Sequence, residues 1–307
     1  MSLTDVTLIV MAAGIGTRYG GLKQIEPVGP HGETLLGYSI YDALLVGFQR
    51  IVFVISRNME DTFCRKVNQS IGRHCDVAYV IQELDNIPEN IKIPSDRQKP
   101  WGTGHAILHC KHLVGAPFAV INADDFYGRT SFRILWDYLS GIEDCVESTE
   151  YCLVIFWLGK TLTDHGHVAR AICRLDSEGH IAGLDERTHI ERFEQSIKYL
   201  QDGGSWVGIQ ADTPVSMNMW GFTPTLFPEL ERLFDKFLKE HRADLLQAEF
   251  FLPEVVNSLI MENKATVMGL PTGERWFGTT YRADGPLVKL AIEDLIQKGD
   301  YPEQLWE

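Results

Sequence analysis

Two glycines, Gly14 and Gly16, sit at the end of an apolar run, and two cations, Arg18 and Lys23, follow within ten residues. Backbone N–H groups next to glycines can approach a phosphate closely because no Cβ intervenes. Arg18 and Lys23 would add fixed positive charge to that cradle. The same residues also fit a structural strand-to-helix turn flanked by two solvated cations, and the turn alone does not separate the two readings. Farther along, Asp124 and Asp125 directly follow the apolar stretch Pro117 to Asn122. A carboxylate that closes a buried strand is costly unless its charge is used. Such a position suits Mg²⁺, a hard cation that takes protein oxygens and triphosphate oxygens together; its structural alternative is a helix N-cap. Asp125 ranks second to Asp124 for either role.

The elements that must position these groups alternate between strand and helix. Val6 to Ala13 reads as a buried first strand and Glu33 to Gly47 as a helix with Gly47 as its C-cap. Strands over Arg50–Ile55 and Asp76–Ile81 enclose a mixed helix over Asp61–Ile71, and a helix over His105–Leu113 precedes the strand that ends at Asn122. This order predicts an α/β chain with a Rossmann-like, mixed but mostly parallel sheet flanked by helices. Right-handed crossovers then place the loops after the strands along one sheet edge, where such folds bind ligands. The polar, proline-containing stretch from Leu84 to Pro100 reads as an excursion loop of the kind that forms lids. Beyond it the pattern predicts a helix at Ser131–Leu139 and a strand at Tyr151–Leu158. A hairpin of Val168–Leu175 with His180–Leu184 and a strand at Val215–Phe222 follow. Helices at Pro228–Glu240, Phe250–Met261 and Leu287–Gln297 surround a last strand at Ala265–Leu270. The hairpin region is expected to be an inserted β subdomain within one domain, 1–307, whose halves are 1–140 and 141–307.

Composition narrows the function classes. The chain has 307 residues, 45% hydrophobic and 23% charged, with a formal net charge of −14. That balance argues against nucleic-acid or membrane-surface binding, which needs a basic face. Six cysteines without a C-x-x-C pair, and no signal-like or spanning segment, point to a reduced, cytoplasmic protein. Two familiar phosphate loops fail. A dinucleotide fingerprint needs a third glycine where Tyr19 stands, and an acidic residue after the second strand, where Ser56-Arg57-Asn58 follows. A P-loop needs Gly-Lys-Ser/Thr, whereas Leu22 follows Gly21 and Gln24 follows Lys23. The pair His165-x-His167 suggests zinc, but no third or fourth ligand stands at useful spacing, so zinc is not expected.

The opening run Met11-Ala12-Ala13-Gly14-Ile15-Gly16-Thr17-Arg18, then Lys23, Pro27-Val28 and Glu33-Thr34-Leu35, resembles the signature of the sugar-1-phosphate nucleotidyltransferases. The stretch Arg97–Gly128, with Gly102-Thr103-Gly104-His105-Ala106 and Asp124-Asp125-Phe126-Tyr127-Gly128, is similar to the corresponding region of UTP–sugar-1-phosphate uridylyltransferases and thymidylyltransferases. The two motifs occur in the expected order, and the clear resemblance ends near Gly128. It implies the nucleotide-diphospho-sugar transferase type of fold. The implied reaction is attack of a sugar phosphate on the α-phosphorus of an NTP, with release of pyrophosphate and with Mg²⁺ as cofactor. It further implies that Ala12, Ala13, Gly14, Gly16 and Thr17 hold the triphosphate. Arg18 would neutralise the leaving pyrophosphate, Lys23 would bridge the α-phosphate and the acceptor, and Asp124 would hold the metal. Gln82, Gly102 and Thr103 would meet the base, with Gln98 a competitor for the part of Gln82. On the acceptor side the resemblance implies Gly166, in Asp164-His165-Gly166-His167, then Glu186-Arg187, and Asn218. Relatives carry a late second metal ligand, Asp or Asn, at the positions that here hold Gly278 or Thr280. Asp284 is the nearest carboxylate. A metal-dependent glycosyltransferase using a finished NDP-sugar, or a non-catalytic nucleotide-sugar-binding relative, are the alternatives. The base, the acceptor and a homo-oligomeric state stay open.

Overall fold

A computed structural model describes residues 6–14, 23–88, 91–142, 147–163, 165–194, 196–201, 203–278 and 282–306, the side chains of Lys23 and Arg282 excepted. Four parallel strands start the fold: β1 (Thr7–Met11), β2 (Arg50–Ile55), β3 (Asp76–Ile81) and β4 (Phe118–Asn122). The helices between and after them are α1 (Leu35–Val46), α2 (Glu60–Gln69) and α3 (Thr103–Leu108). A short strand β5 (Asp125–Phe126) and α4 (Arg129–Ser140) follow. The remaining strands are β6 (Glu150–Trp157), β7 (Val168–Leu175), β8 (Ile181–Phe193), β9 (Ser196–Leu200), β10 (Trp206–Ile209) and β11 (Pro214–Phe222). Helices α5 (Leu226–Glu240) and α6 (Leu252–Met261), strands β12 (Thr266–Pro271) and β13 (Phe277–Gly278), and α7 (Gly285–Gln297) complete it.

Eleven strands form one mixed sheet, in the order β10-β9-β8-β7-β11-β4-β1-β2-β3, with β6 paired to β11 and β12 paired to β6. The parallel part is β4-β1-β2-β3 together with the β12–β6 pair; the other pairs are antiparallel. The hairpin expected as an inserted subdomain, β7 and β8, together with β9 and β10 beyond it, continues this same sheet through β7–β11 pairing. Both halves of the chain therefore share one hydrogen-bonded sheet.

Strand β1 is apolar on both sides, as a central parallel strand must be. Leu8 and Val10 pack with residues of α1, α2 and α4, such as Ile40, Phe63 and Leu135. Ile9 and Met11 face the opposite layer, with Ile107 of α3, Phe234 of α5 and Val256 of α6. The result is three layers with two cores. Helix α1 starts where the Thr34 hydroxyl accepts from Gly37 N–H at 3.0 Å and stops at Gly47. A third, smaller core joins α7 to α1 and β5, with Phe126 and Phe277 stacked at 4.2 Å. Among the described residues no helix is long and apolar enough to cross a membrane, and Cys64, Cys75, Cys110, Cys152 and Cys173 are free thiols.

The excursion loop is not a free lid. Arg97, buried within it, donates to the carbonyls of Leu245, Ala248 (2.9 Å) and Pro100 (2.8 Å), and its guanidinium lies 3.6 Å from the centre of the Trp101 ring. Ile87, Ile91 and Ile93 pack on the core below it. The loop is a wall tied to the segment before α6.

Candidate active site

The chain order β1-β2-β3 runs outward on one side of β1, and the crossover to β4 returns to its other side. Ligands of open α/β sheets bind at such a reversal, beyond the carboxyl ends of the strands. Here that crevice lies between Ala12–Gly14, after β1, and Asn122–Asp125, after β4. The ladder continues into it, with Ala12 N–H donating to Val54 O at 2.8 Å and Ala123 N–H to Met11 O at 3.1 Å.

A recess of about 650 Å³ opens beside the end of β1, lined by Met11, Ala13, Gly14, Gln82, Gly102 and Thr103, with Gln98, Lys99 and Pro100 of the wall and Gln247 and Glu249, the last paired with Lys99 at 2.6 Å. Five of the residues expected to meet the nucleotide thus converge from three separated segments. Ala12 is buried directly behind them and is fixed by Gln24, a buried residue that sequence reasoning passed over. Gln24 Nε2 donates to Ala12 O (3.2 Å) and Gly14 O (2.8 Å), which sets the exit of β1 into the glycine turn. Gly16, Thr17 and Arg18 lie outside the described residues, as does the side chain of Lys23.

Gln82 is held in one orientation. Its Nε2 donates to Gly102 O at 3.0 Å and lies 3.3 Å from His105 Nδ1. His105 is fully buried; burial, with help from His109 and Arg97 and against its bond to Asn86, pushes its pKa down to about 3. The ring is therefore neutral near pH 7. Its Nε2 lies 3.3 Å from Asn86 O, a pure acceptor, so Nε2 carries the proton and Nδ1 accepts from Gln82. Both contacts take the amide nitrogen of Gln82 and leave its carbonyl oxygen as the group available to a ligand. Gly102 adopts φ +99°, and a Cβ there would lie 2.6 Å from Phe250 O. Only glycine meets both conditions. Thr103 accepts from Leu252 N–H at 2.9 Å, so its hydroxyl also fastens the start of α6.

The two carboxylates after β4 differ. Asp124 is half-buried in the turn. Asp125 is buried, and its Oδ2 accepts from Asn122 Nδ2 at 2.8 Å and lies 3.3 Å from the Tyr127 hydroxyl. Burial, with Asp125 alongside, holds Tyr127 protonated, and its oxygen also accepts from Asn122 N–H and lies 3.1 Å from Met217 O. Beneath them Arg170, also missed from sequence, is buried against Thr161 O (2.5 Å) and over the Trp276 ring at 4.5 Å. Burial pulls its pKa down to about 10, opposed by the charges of Asp125 and Glu186. Its guanidinium remains charged.

Gly278, where the resemblance led to the expectation of an acid, pairs with Asp125 across β5–β13. A Cβ there would lie 2.8 Å from Asp125 Oδ1 and 2.8 Å from Trp276 Cζ2, so the packing admits no carboxylate without displacement. Gly278 also lines a second recess, of about 310 Å³, which holds Asp284. Asp284 is buried and accepts from the Thr163 hydroxyl at 2.7 Å, while that hydroxyl accepts from His165 N–H at 3.1 Å. Asp284 is thereby tied to the loop that carries Thr163 and His165. Gly166 in that loop is exposed, with φ +135°. Asn218 occupies the left-handed region, φ +58°, where β11 passes from β7 to β4; its Oδ1 accepts from Trp220 Nε1 at 3.3 Å. Asn tolerates that conformation better than most side chains. Glu186 and Arg187 are neighbours in an extended strand and project to opposite faces. Burial of its carboxyl group pushes the pKa of Glu186 up, Glu254 adding to this and Arg170 opposing it, whereas Arg187 lies 5.0 Å from the Tyr199 ring centre.

The residues present fit a divalent cation of the Mg²⁺ kind at Asp124. Asp125 is occupied by Asn122 and Tyr127, and Gly278 supplies no side chain. One carboxylate plus substrate oxygens is a common Mg²⁺ arrangement.

No protein-family model matches the chain. A curated relative, the UTP–glucose-1-phosphate uridylyltransferase YngB of Bacillus subtilis (strain 168), is 30% identical over 126 residues, 38% of this chain and 42% of the relative. The match thus spans less than half of that protein. Solved structures align along nearly the whole chain. The inositol-1-phosphate CTP transferase from T. maritima aligns with a TM-score of 0.60 at 14% identity, over 96% of this chain and 97% of that one. UDP-glucose pyrophosphorylase complexed with UDP-glucose gives 0.58 at 14%, over 94% and 98%. A putative glucose-1-phosphate thymidylyltransferase from Bacillus anthracis, in complex with a sucrose, gives 0.60 at 12%, over 94% and 96%. At these identities the shared property is the fold, and the chain has the fold of the sugar-phosphate nucleotidyltransferases.

Proposed function

We propose that this chain is a Mg²⁺-dependent nucleotidyltransferase that couples an NTP to a sugar 1-phosphate, or a similar small phosphate, giving an NDP-sugar and pyrophosphate. The observation that carries the reading is the recess in which Ala13, Gly14, Gln82, Gly102 and Thr103 meet at the end of β1. The partial identity to a UTP-dependent relative supports it. The fixed orientation of Gln82 extends it to the base: a carbonyl oxygen suits the N3–H of uracil or thymine and opposes the lone pair at N3 of cytosine. UTP or dTTP is therefore the preferred donor.

In such a transfer the protein positions the reactants and neutralises charge, with little covalent work of its own. The nucleotide half, 1–140, orients the triphosphate through the backbone at Ala12 to Thr17, with Arg18 on the departing pyrophosphate and Lys23 between the α-phosphate and the acceptor. Asp124, with Asp284 as the further carboxylate, would hold a Mg²⁺ ion that would supply charge neutralisation at the phosphates. The acceptor half, 141–307, offers Gly166, Glu186, Arg187 and Asn218 to the sugar and its phosphate. The free thiols fit a reducing, cytoplasmic setting.

Pyrophosphate release from each NTP, against a panel of sugar phosphates and phospho-alcohols with Mg²⁺, tests the proposal. Release with UTP or dTTP and one acceptor class is expected. No release across the panel, together with tight binding of an NDP-sugar, would replace it with the glycosyltransferase reading.

A further inference from the structure

A second cluster lies in the strands that carry the acceptor residues, and the nucleotide chemistry does not use it. His167, just before β7, and His189 and Glu191, in β8, present ligand atoms that all lie within 4.8 Å of one another. The two imidazoles stack with centroids 3.9 Å apart and planes 12° apart, and His189 Nε2 lies 3.1 Å from Glu191 Oε1. The β-register produces this arrangement. Val168 pairs with Ile190, so His167 is brought beside the next residues of β8, and His189 and Glu191, two apart, share a face. All three are half-buried, and Trp206 of β10 packs edge-on against His189 at 5.3 Å. The pair suggested by sequence, His165-x-His167, is replaced in space: His165 is exposed and outside the cluster, while His189 and Glu191 supply the ligands that spacing could not reveal.

We infer that His167, His189 and Glu191 bind a divalent cation of the zinc class. Two imidazoles and one carboxylate form a donor set that selects Zn²⁺, Co²⁺ or Ni²⁺ over Mg²⁺. In a tetrahedral zinc site with bonds of about 2.0–2.1 Å the donor atoms stand roughly 3.4 Å apart. The present spread therefore closes by at most about 1.4 Å on binding, a distance that side-chain rotations cover. The cation would fasten the Gly166 loop to β8. Its fourth position would remain open to water or to an acceptor oxygen. This site does not depend on the nucleotidyltransferase reading.

Chelator-treated full-length protein is titrated with Zn²⁺ by calorimetry and with Co²⁺ by visible absorption. One equivalent is expected, with the d–d bands of a four-coordinate nitrogen and oxygen site. His167→Ala and Glu191→Gln should each weaken binding by about tenfold or more, whereas His165→Ala and Asp124→Asn should leave it unchanged. His189→Phe keeps a ring in the stack and should remain folded by thermal melting while losing the cation. Absence of stoichiometric binding in the wild type would overturn the inference. So would wild-type affinity in folded His189→Phe, or loss of binding in His165→Ala alone.

Discussion

His105 links the stability of this protein to the shape of the recess beside the end of β1, and the link has a measurable pH signature. In the folded chain the imidazole titrates near pH 3, against 6.5 in a solvated chain. Between those values the unfolded chain holds a proton that the folded chain does not, so stability rises with pH across that window. The contribution is fully present above pH 6.5 and is lost progressively as pH falls toward 3. At pH 5 the loss from this one group is about 2 kcal/mol, from 1.36 kcal/mol per pH unit below 6.5. Asp42 works in the opposite sense. Burial raises its pKa from 3.8 to about 6, against bonds from Tyr301 and Arg129, so it adds roughly 1.4 kcal/mol at pH 5. Wild-type stability alone would therefore hide the effect, and the comparison must be with a variant. His105→Gln keeps a neutral donor near Asn86 O but cannot titrate. Denaturant unfolding at pH 7.5, 6 and 5 should show the variant less stable at pH 7.5, with the gap to wild type narrowing by about 2 kcal/mol at pH 5. A gap independent of pH would refute the buried neutral imidazole, and with it the reasoning that fixes the Gln82 amide.

Gln82→Leu should raise the KM for UTP or dTTP about tenfold, as expected for one lost hydrogen bond of about 1 kcal/mol or slightly more, and should erode the preference over CTP; steady-state kinetics with each nucleotide checks both. Asp124→Asn should lower turnover by ~10²–10³, whereas Asp125→Asn should lower the melting temperature because buried Arg170 loses part of its compensating charge; unchanged turnover in Asp124→Asn, or an unchanged melting temperature in Asp125→Asn, would sink the division of roles. Gly278→Ala forces a Cβ to 2.8 Å from Asp125 Oδ1 and Trp276, and should cost about 1–3 kcal/mol by thermal or chemical denaturation; an unchanged melting temperature would show that β13 yields freely. Arg97→Met strips the donor from the carbonyls of Leu245, Ala248 and Pro100 and should raise the KM for the NTP more than it changes kcat, since Gln98, Lys99 and Pro100 wall the recess.

What the sequence reveals and what it hides follow from the same physics. Strand β2 falls on its expected residues because a strand buried in a parallel sheet must be a short, unbroken apolar run bounded by polar residues, and the edge strand β3, half-buried, still carries a compact β-branched and apolar run. Strands β9 and β10 were not foreseen, since they lie at the outer end of the sheet and expose Ser196, Trp206 and Gly208; such strands carry little periodic signal. Helix α3 stops at Leu108, where the expected helix continues to Leu113, because the chain tightens into turns with Cys110 N–H on Ile107 O and Leu113 N–H on Cys110 O. The loop before it reads as a lid by length and polarity, but its one buried guanidinium ties it down, and only the fold reveals the carbonyls that Arg97 meets. Gln82 was legible as the last residue of a strand, and Gln98 proves to line the same recess. Gln24 and Arg170 were not legible, for their partners are backbone atoms and distant carboxylates.

The adjacent acids at the end of β4 show how the fold separates roles that sequence alone leaves joined. Asp124 lies half-buried in the turn after β4, whereas Asp125 opens β5 and is buried. The buried one, Asp125, is stabilised by Asn122, Tyr127 and the charge of Arg170, and Gly278 packs so closely against it that no third carboxylate fits at that point. Tyr127 carries the constraint farther, because its oxygen also lies 3.1 Å from Met217 O, one residue before Asn218. The left-handed turn of Asn218 is therefore braced from the same cluster that braces Asp125. The end of β4 and the turn at Asn218 are thus joined through one buried polar group. Tyr127→Phe, which removes that oxygen while keeping the ring, should accordingly weaken acceptor binding as well as lower stability.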